Sequence, residues 1–427
     1  MKVPIDLLRS FSIYTLSNLL NAALPFLFLP ILTKWLTPAE FGVLAFYQVV
    51  CSLLTPSIMI GGDNAISRDY HLIEGERFKN AWTQSNVLSF LSFSLFAVLI
   101  ISASFLKLSI INLPYYWILI GLLYAYLVSI IERELALLRM KNKPITYGIL
   151  RLSRSTLDFG LSICLLLVFS KSWEFRAYGE FIAAVIFALG YIVYQFWNGN
   201  WVFKIDFKEI KRLLLFGSPL VLHTLSSVSL NFIDRVIIED VLTLSDVGLY
   251  AVAYQIGLII HMAQNSFNQA WIPFLYEKLK RITDDLKLRL VRLTWFYILG
   301  MAVFITLFVL VGVPIIMRLF IGGEYAGIEP LILWIAIGYG FNGIYKMLVN
   351  YLVFLGRTKI IGLSTMVAAI LNIGLNLWLI PLYGLTAAAV STAIAFGIHM
   401  LIIWIASARS YPMPWFSQKV FKGGVGS

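Results

Sequence analysis

Long apolar runs separated by short polar breaks make up nearly the whole chain. Twelve such runs can be drawn, over 11–33, 42–62, 84–106, 115–138, 148–169, 179–198, 216–238, 247–274, 292–316, 330–354, 361–380 and 385–407. A helix needs about 20 mostly apolar residues to cross a bilayer, and these runs are of that order. Lipid offers no partner for a free backbone N–H or C=O, so only helices or closed barrels span it. Barrel strands are about half as long and alternate polar with apolar positions, which these runs do not. The pattern predicts an all-α integral membrane protein with about twelve transmembrane helices.

The breaks are too short for a separate soluble domain. The longest are 63–83, 199–215 and 275–291. The third carries Glu277, Lys278, Lys280, Arg281, Asp284, Asp285, Lys287 and Arg289, and predicts a surface helix with internal ion pairs. The tail after Ser407 is basic and aromatic, with Tyr411, Trp415 and Phe416, and is expected to rest on lipid headgroups. The first run is too long for a removable signal and lacks a small-residue cleavage site, so it is expected to stay as the first helix. Pro25, Pro30 and Pro56 fall within runs and allow bends there.

An internal repeat organises the runs. Leu36-Thr37-Pro38-Ala39-Glu40-Phe41-Gly42 through Tyr47-Gln48 returns, 206 positions on, as Leu242-Thr243-Leu244-Ser245-Asp246-Val247-Gly248 through Tyr254-Gln255, with one extra residue before the final pair. Each copy joins two long runs. Two parallel halves of six helices, 1–205 and 206–427, are the repeat architecture of many transporters, whose sites lie between halves.

Composition agrees: 60% of residues are hydrophobic and 13% charged. The net charge of +11 would suggest nucleic acid in a soluble protein, but its distribution points elsewhere. With the N-terminus inside, 26 basic residues fall on cytoplasmic segments, while Lys34, Lys107, Lys171, Arg176 and Arg318 fall on the opposite face. That asymmetry places both termini in the cytoplasm. No nucleic-acid partner is expected. Cys51 and Cys164 supply neither a disulfide framework nor a metal set.

Ionisable groups inside a span are costly and require a partner or a wet cavity. Asp158 lies near the middle of its run, with Arg154 and Arg151 four and seven residues before it on the same helical face. The Arg154–Asp158 pair reads equally as structural or functional, and Arg151 can also snorkel to the interface. Lys346 has no acidic residue within four positions and is assigned to a cavity wall. His223, Ser227, Asn231 and Asp234 form a stripe matched in the first half by Ser10, Tyr14, Ser17 and Asn21. Asp234 and Arg235, near the outer end, form a candidate gate or structural pair. His261, Gln264, Asn265 and Asn268 share another face. His261 could carry protons, although interhelical hydrogen bonding accounts for such residues as well. His399, Asn372 and Asn376 are read in that second way.

Some chemistry is missing. There is no Gly-Lys dipeptide and so no phosphate-cradling loop of the Walker type, nor a His/Cys cluster suited to zinc. Outer breaks are too short for a catalytic loop. No enzyme activity and no cofactor are expected.

Pro30-Ile31-Leu32-Thr33, Leu36 to Gly42, their second-half echo Asp234-Arg235-Val236-Ile237 and Val247-Gly248-Leu249-Tyr250, and Phe320-Ile321-Gly322-Gly323-Glu324-Tyr325 come in a characteristic order. In them the chain resembles the O-antigen (Wzx-type) polysaccharide flippases of the multidrug/oligosaccharidyl-lipid/polysaccharide exporter superfamily. The resemblance implies a two-lobed protein of the bacterial inner membrane with a cationic central cavity. Its cargo would be a polyprenyl-diphosphate-linked glycan, moved outward by rocking lobes, with a polymerase and a chain-length regulator as partners besides membrane lipids. Lys346, Arg154 and Arg151 would compensate the diphosphate. The drive is open between a proton, sodium and the membrane potential. Two alternatives stand: a multidrug or cation exporter of the same superfamily, and a membrane-embedded polymerase or glycosyltransferase.

Overall fold

A computed structural model describes residues 5–106, 113–202 and 204–418, and their regular structure is helical. Two compact units divide at Arg235/Val236. The first holds α1 (Ile5–Trp35), α2 (Pro38–Met59), α3 (Gly62–Leu72), α4 (Gly75–Phe105), α5 (Tyr115–Met140), α6 (Pro144–Val168), α7 (Trp173–Trp197) and most of α8 (Phe207–Val241). The second holds α9 (Leu244–Leu279), α10 (Asp284–Leu307), α11 (Val313–Phe320), α12 (Glu329–Phe354), α13 (Thr358–Tyr383) and α14 (Leu385–Ser410). A π-helical turn, Phe308–Gly312, joins α10 to α11 just before Pro314. The expected halves, 1–205 and 206–427, divide before α8, whereas the packing divides inside that helix.

The twelve apolar runs are helical over most of their described residues; Ile60 and Gly61 of the second form a turn, and the third, fifth and sixth each end in one. Among the described residues, ten helices are long and apolar enough to cross a membrane. The chain is a multi-pass membrane protein. The runs in α6 and α8 fall outside those ten, and α6 contains Arg151, Arg154 and Asp158. Helix α3, inside the 63–83 break, was not expected.

The repeat has a physical meaning at the helix starts. Thr37 caps α2: its Oγ1 accepts from the Glu40 N–H at 3.3 Å, and Glu40 Oε2 accepts from the Thr37 N–H at 3.0 Å. Thr243 caps α9 in the same way, accepting from the Asp246 N–H at 3.2 Å. Such caps satisfy amide donors that the first turn leaves free. The echo continues to the tyrosines. Buried Tyr47 packs edge-on to Trp117 of α5, and buried Tyr254 edge-on to Tyr339 of α12.

Two expectations need correction. The charged break 275–291 is not a separate surface helix. Helix α9 continues to Leu279 and Thr283 caps α10, its Oγ1 accepting from the Leu286 N–H at 3.3 Å, so only a tight turn remains. The internal ion pairs do form, as Lys287–Asp284 at 2.9 Å and Arg289–Asp285 at 2.9 Å. Nor does the whole tail lie on headgroups. Met413 and Trp415 are buried, and the Trp415 carbonyl accepts from the Trp295 indole at 3.0 Å. Apolar area gained against the second unit's own core outweighs staying at the interface.

Candidate functional site

Two clusters of polar side chains inside the spans stand out among the described residues, one within each unit. In the first, small residues let the helices approach. A Cβ on Gly148 would lie 2.3 Å from Ser17 Oγ, and one on Gly179 would lie 2.3 Å from Ser162 Oγ. Helix α6 is thereby held against α1 on one side and α7 on the other. Along the α1 seam, Ser155 donates to Asn21 Oδ1 at 2.6 Å and Tyr147 to Asn18 Oδ1 at 3.1 Å. Arg151 donates to the Tyr147 hydroxyl and lies over its ring, 5.7 Å from the centroid.

Along the α7 seam, Asp158 does not take Arg154 as its partner. Arg176 Nη1 lies 2.6 Å from Asp158 Oδ1 and 2.9 Å from Ser162 Oγ. Arg154 instead lies 3.7 Å from Glu132 of α5. The pairing expected from helical spacing is thus corrected: two long-range partners reach the charges with better geometry than the same-helix neighbour. Glu180 completes the group, accepting from Tyr124 Oη at 2.7 Å and standing 3.9 Å from Arg176. Three arginines (151, 154, 176) meet three carboxylates (132, 158, 180), so this cluster is close to neutral. Arg176, counted among outer-face residues, is buried in the first turn of α7, which starts earlier than the apolar run indicated.

Sequence reasoning passed over Glu132, Glu134 and Glu180 and counted Arg133 with the cytoplasmic residues, although all four lie inside predicted spans and the cost of burying charge should have flagged them. Arg133 is fully buried and donates to Asn86 Oδ1 and, at 2.6 Å, to Ser89 Oγ. Glu134 accepts from Gln195 Nε2 at 2.7 Å.

The same unit is tied together before α8. Asp206 caps that helix, accepting from the Glu209 N–H at 3.2 Å and the Lys208 N–H at 3.1 Å. Its other oxygen accepts from Asn80 at 3.1 Å. The Glu209 amide, then the Asn80 amide, hold the carboxyl below its ordinary range. Arg212 donates to Glu209 at 2.9 Å and to Asp69 at 3.2 Å, and these bonds push its guanidinium up.

The second cluster lies between α9 and α12. Lys346 is half-buried and donates to Asn265 Oδ1. One turn on, Asn350 donates to Asn268 Oδ1 at 3.0 Å and to the Lys346 carbonyl at 2.7 Å. Among the described residues, no carboxylate lies within ion-pair distance of Lys346. His261, one turn before Asn265, packs against Tyr339 with centroids 5.1 Å apart, and its Nδ1 has no hydrogen-bond partner. This cluster carries a net positive charge.

Asp234 and Arg235 are both buried, and Arg235 lies over the Phe232 ring at 5.0 Å. The side chains of His223 and Asn231 lie outside the described residues. No group of His, Cys, Asp and Glu suited to a metal occurs among the described residues.

Residues 7–278, well over half of the chain, match the family described as polysaccharide biosynthesis protein. The chain belongs to that family. Two relatives from Haemophilus influenzae (strain ATCC 51907 / DSM 11121 / KW20 / Rd) align over nearly their full lengths. One, an uncharacterized membrane protein, is 27% identical over 376 residues, covering 86% of this chain and 89% of its own. The other, Lsg locus putative protein 1, is 25% identical over 388 residues, covering 84% and 88%. Among solved structures, the lipid II flippase MurJ in an inward closed conformation superposes with a TM-score of 0.68 at 18% identity, covering 92% of this chain and 87% of its own. An inward-facing multidrug resistance MATE family transporter of the MOP superfamily gives 0.66 at 16%, covering 93% and 94%. The fold is the one those two proteins share.

Proposed function

We propose that this protein is a flippase, not an enzyme, carrying polyprenyl-diphosphate-linked oligosaccharide repeat units across the bacterial inner membrane by alternating access, for O-antigen or a related surface polysaccharide. The observation that carries this reading is Lys346, a cation within a span held by an amide and, among the described residues, by no carboxylate. A buried charge without a counter-charge is costly, and an anionic cargo supplies one. A diphosphate has that charge, while its sugars take hydrogen bonds from Asn and Ser side chains. The family, and a fold shared with proteins titled flippase and transporter, support transport of a lipid-linked glycan. The surplus positive charge of the α9–α12 cluster disfavours a cationic drug as cargo.

On this reading the duplicated halves are 1–205 and 206–427, both termini are cytoplasmic, and a polymerase and chain-length regulator consume the flipped unit. A proton gradient, a sodium gradient or the membrane potential drives the cycle, and vesicles energised with each alone separate the three. The test is a deletion strain. Accumulation of lipid-linked repeat units on the cytoplasmic side, relieved by the wild-type chain and not by Lys346→Met, is the expected result. Normal surface polysaccharide with drug hypersensitivity would overturn the proposal in favour of an exporter.

A further inference from the structure

The end of the chain builds a groove that transport does not call on. Past α14 the backbone turns at Tyr411 and folds back, burying Met413 and Trp415 against the core of the second unit while Phe416 stays 77% exposed. Phe416 stacks on Trp404 of α14, rings 3° from parallel and centroids 6.2 Å apart. Between tail and helix lies an open groove of about 550 Å³, walled by Trp404, Ile405, Met413, Trp415 and Phe416, with Arg409 among its lining residues.

Two features say what fills it. Leu401, Ile405 and Arg409 recur at four-residue spacing on α14, and Leu401 and Ile405 are each about half exposed, so an apolar stripe on a membrane-spanning helix leads to the arginine. Exposed aliphatic side chains on such a helix meet acyl chains, and aromatic side chains with a nearby cation mark headgroup depth. Arg409 has no carboxylate within ion-pair distance among the described residues. One ligand answers both: an acyl chain for the stripe and aromatic walls, and a phosphate for Arg409. Carbonyls at the end of α14 carry partial negative charge, so anion preference here rests on the arginine rather than on the helix.

We propose that the groove between α14 and the tail is a binding site for one anionic phospholipid, its phosphate on Arg409 and one acyl chain along Ile405 and Leu401. The chain's own last residues are a poor occupant, since Lys419 and Lys422 would bring like charge to the arginine.

The test uses the full-length protein in phosphatidylcholine vesicles doped with acyl-brominated phosphatidylglycerol or acyl-brominated phosphatidylcholine, which quench nearby tryptophans. The wild type is expected to reach half-quenching at a phosphatidylglycerol fraction roughly fivefold lower than for phosphatidylcholine, the effect of one basic residue at an anionic surface. Arg409→Ala, with its folding checked by thermal melting, should merge the two curves. Trp404→Phe with Trp415→Phe should remove the selective component. Equal quenching by both lipids in the wild type, or selectivity that survives Arg409→Ala, overturns the proposal. So does a chain ending at Gln418 that admits both lipids more readily, because the tail would then be the occupant.

Discussion

Arg176 and Asp158 face each other across α6 and α7 at 2.6 Å, a pairing eighteen residues apart in sequence. Both side chains are largely buried, at 6% and 18% exposure, so each depends on the other for its charge. Removing Asp158 leaves Arg176 with only the longer Glu180 contact, at 3.9 Å, as a counter-charge. Asp158→Asn is expected to destabilise the protein by about 3–5 kcal/mol, whereas the double change Arg176→Met, Asp158→Leu should cost far less. Thermal melting of the purified protein measures both. Exchanging Arg154 with Asp158 should give no rescue, since their charges are held by other partners.

Lys346 and Asn265 offer a sharper probe of cargo charge. Asn265→Asp places a carboxylate where an amide oxygen now accepts from the ammonium. The pair then neutralises itself, and transport of an anionic glycan lipid should fall about tenfold, the effect of a 1.4 kcal/mol loss. Melting temperature should stay level or rise. Flipping in reconstituted vesicles is the readout, and undiminished transport would remove Lys346 from the cargo path.

The helix caps predict equal costs in the two halves. Thr37→Ala and Thr243→Ala each remove a side-chain acceptor for an amide of the first turn. Each is expected to lower stability by about 1 kcal/mol, and the two together by about the sum, because the sites share no partner. Denaturant titration of the three variants checks this.

Asp206 sets a pH dependence. Its carboxyl is held below the ordinary 3.8, so its stabilising effect is complete above that pH and is lost as pH falls through the lower folded value. Asp206→Asn should therefore lower stability at neutral pH and flatten the acid limb of the melting curve below about pH 4. A melting series from neutral to acid pH shows it.

Several features were legible in the linear order of residues because their causes are local. Each apolar run follows from the cost of a bare backbone in lipid, and each of the twelve is helical over most of its described residues. The Thr-x-x-acid starts of α2 and α9 are capping signals that act within four residues. Lys346 stood out because nothing within a turn of it on its own helix could neutralise it, and no carboxylate comes within ion-pair distance of it among the described residues.

What the linear order left undecided is which charges meet. Helical spacing offered Arg154 to Asp158, but side chains four apart on one helix compete with partners arriving from neighbouring helices, and Arg176 from α7 and Glu132 from α5 have the better geometry. The short helix α3, the buried Arg133 and Glu134, and the tail folding back to bury Trp415 depend likewise on surfaces supplied from far along the chain. Hydropathy and capping are properties of a segment, so the sequence by itself determined the long apolar helices, the capped starts of α2 and α9 and the repeat. Ion pairing and burial are properties of a packed interior, where distance in space replaces distance in sequence, so only the tertiary structure decided the partners.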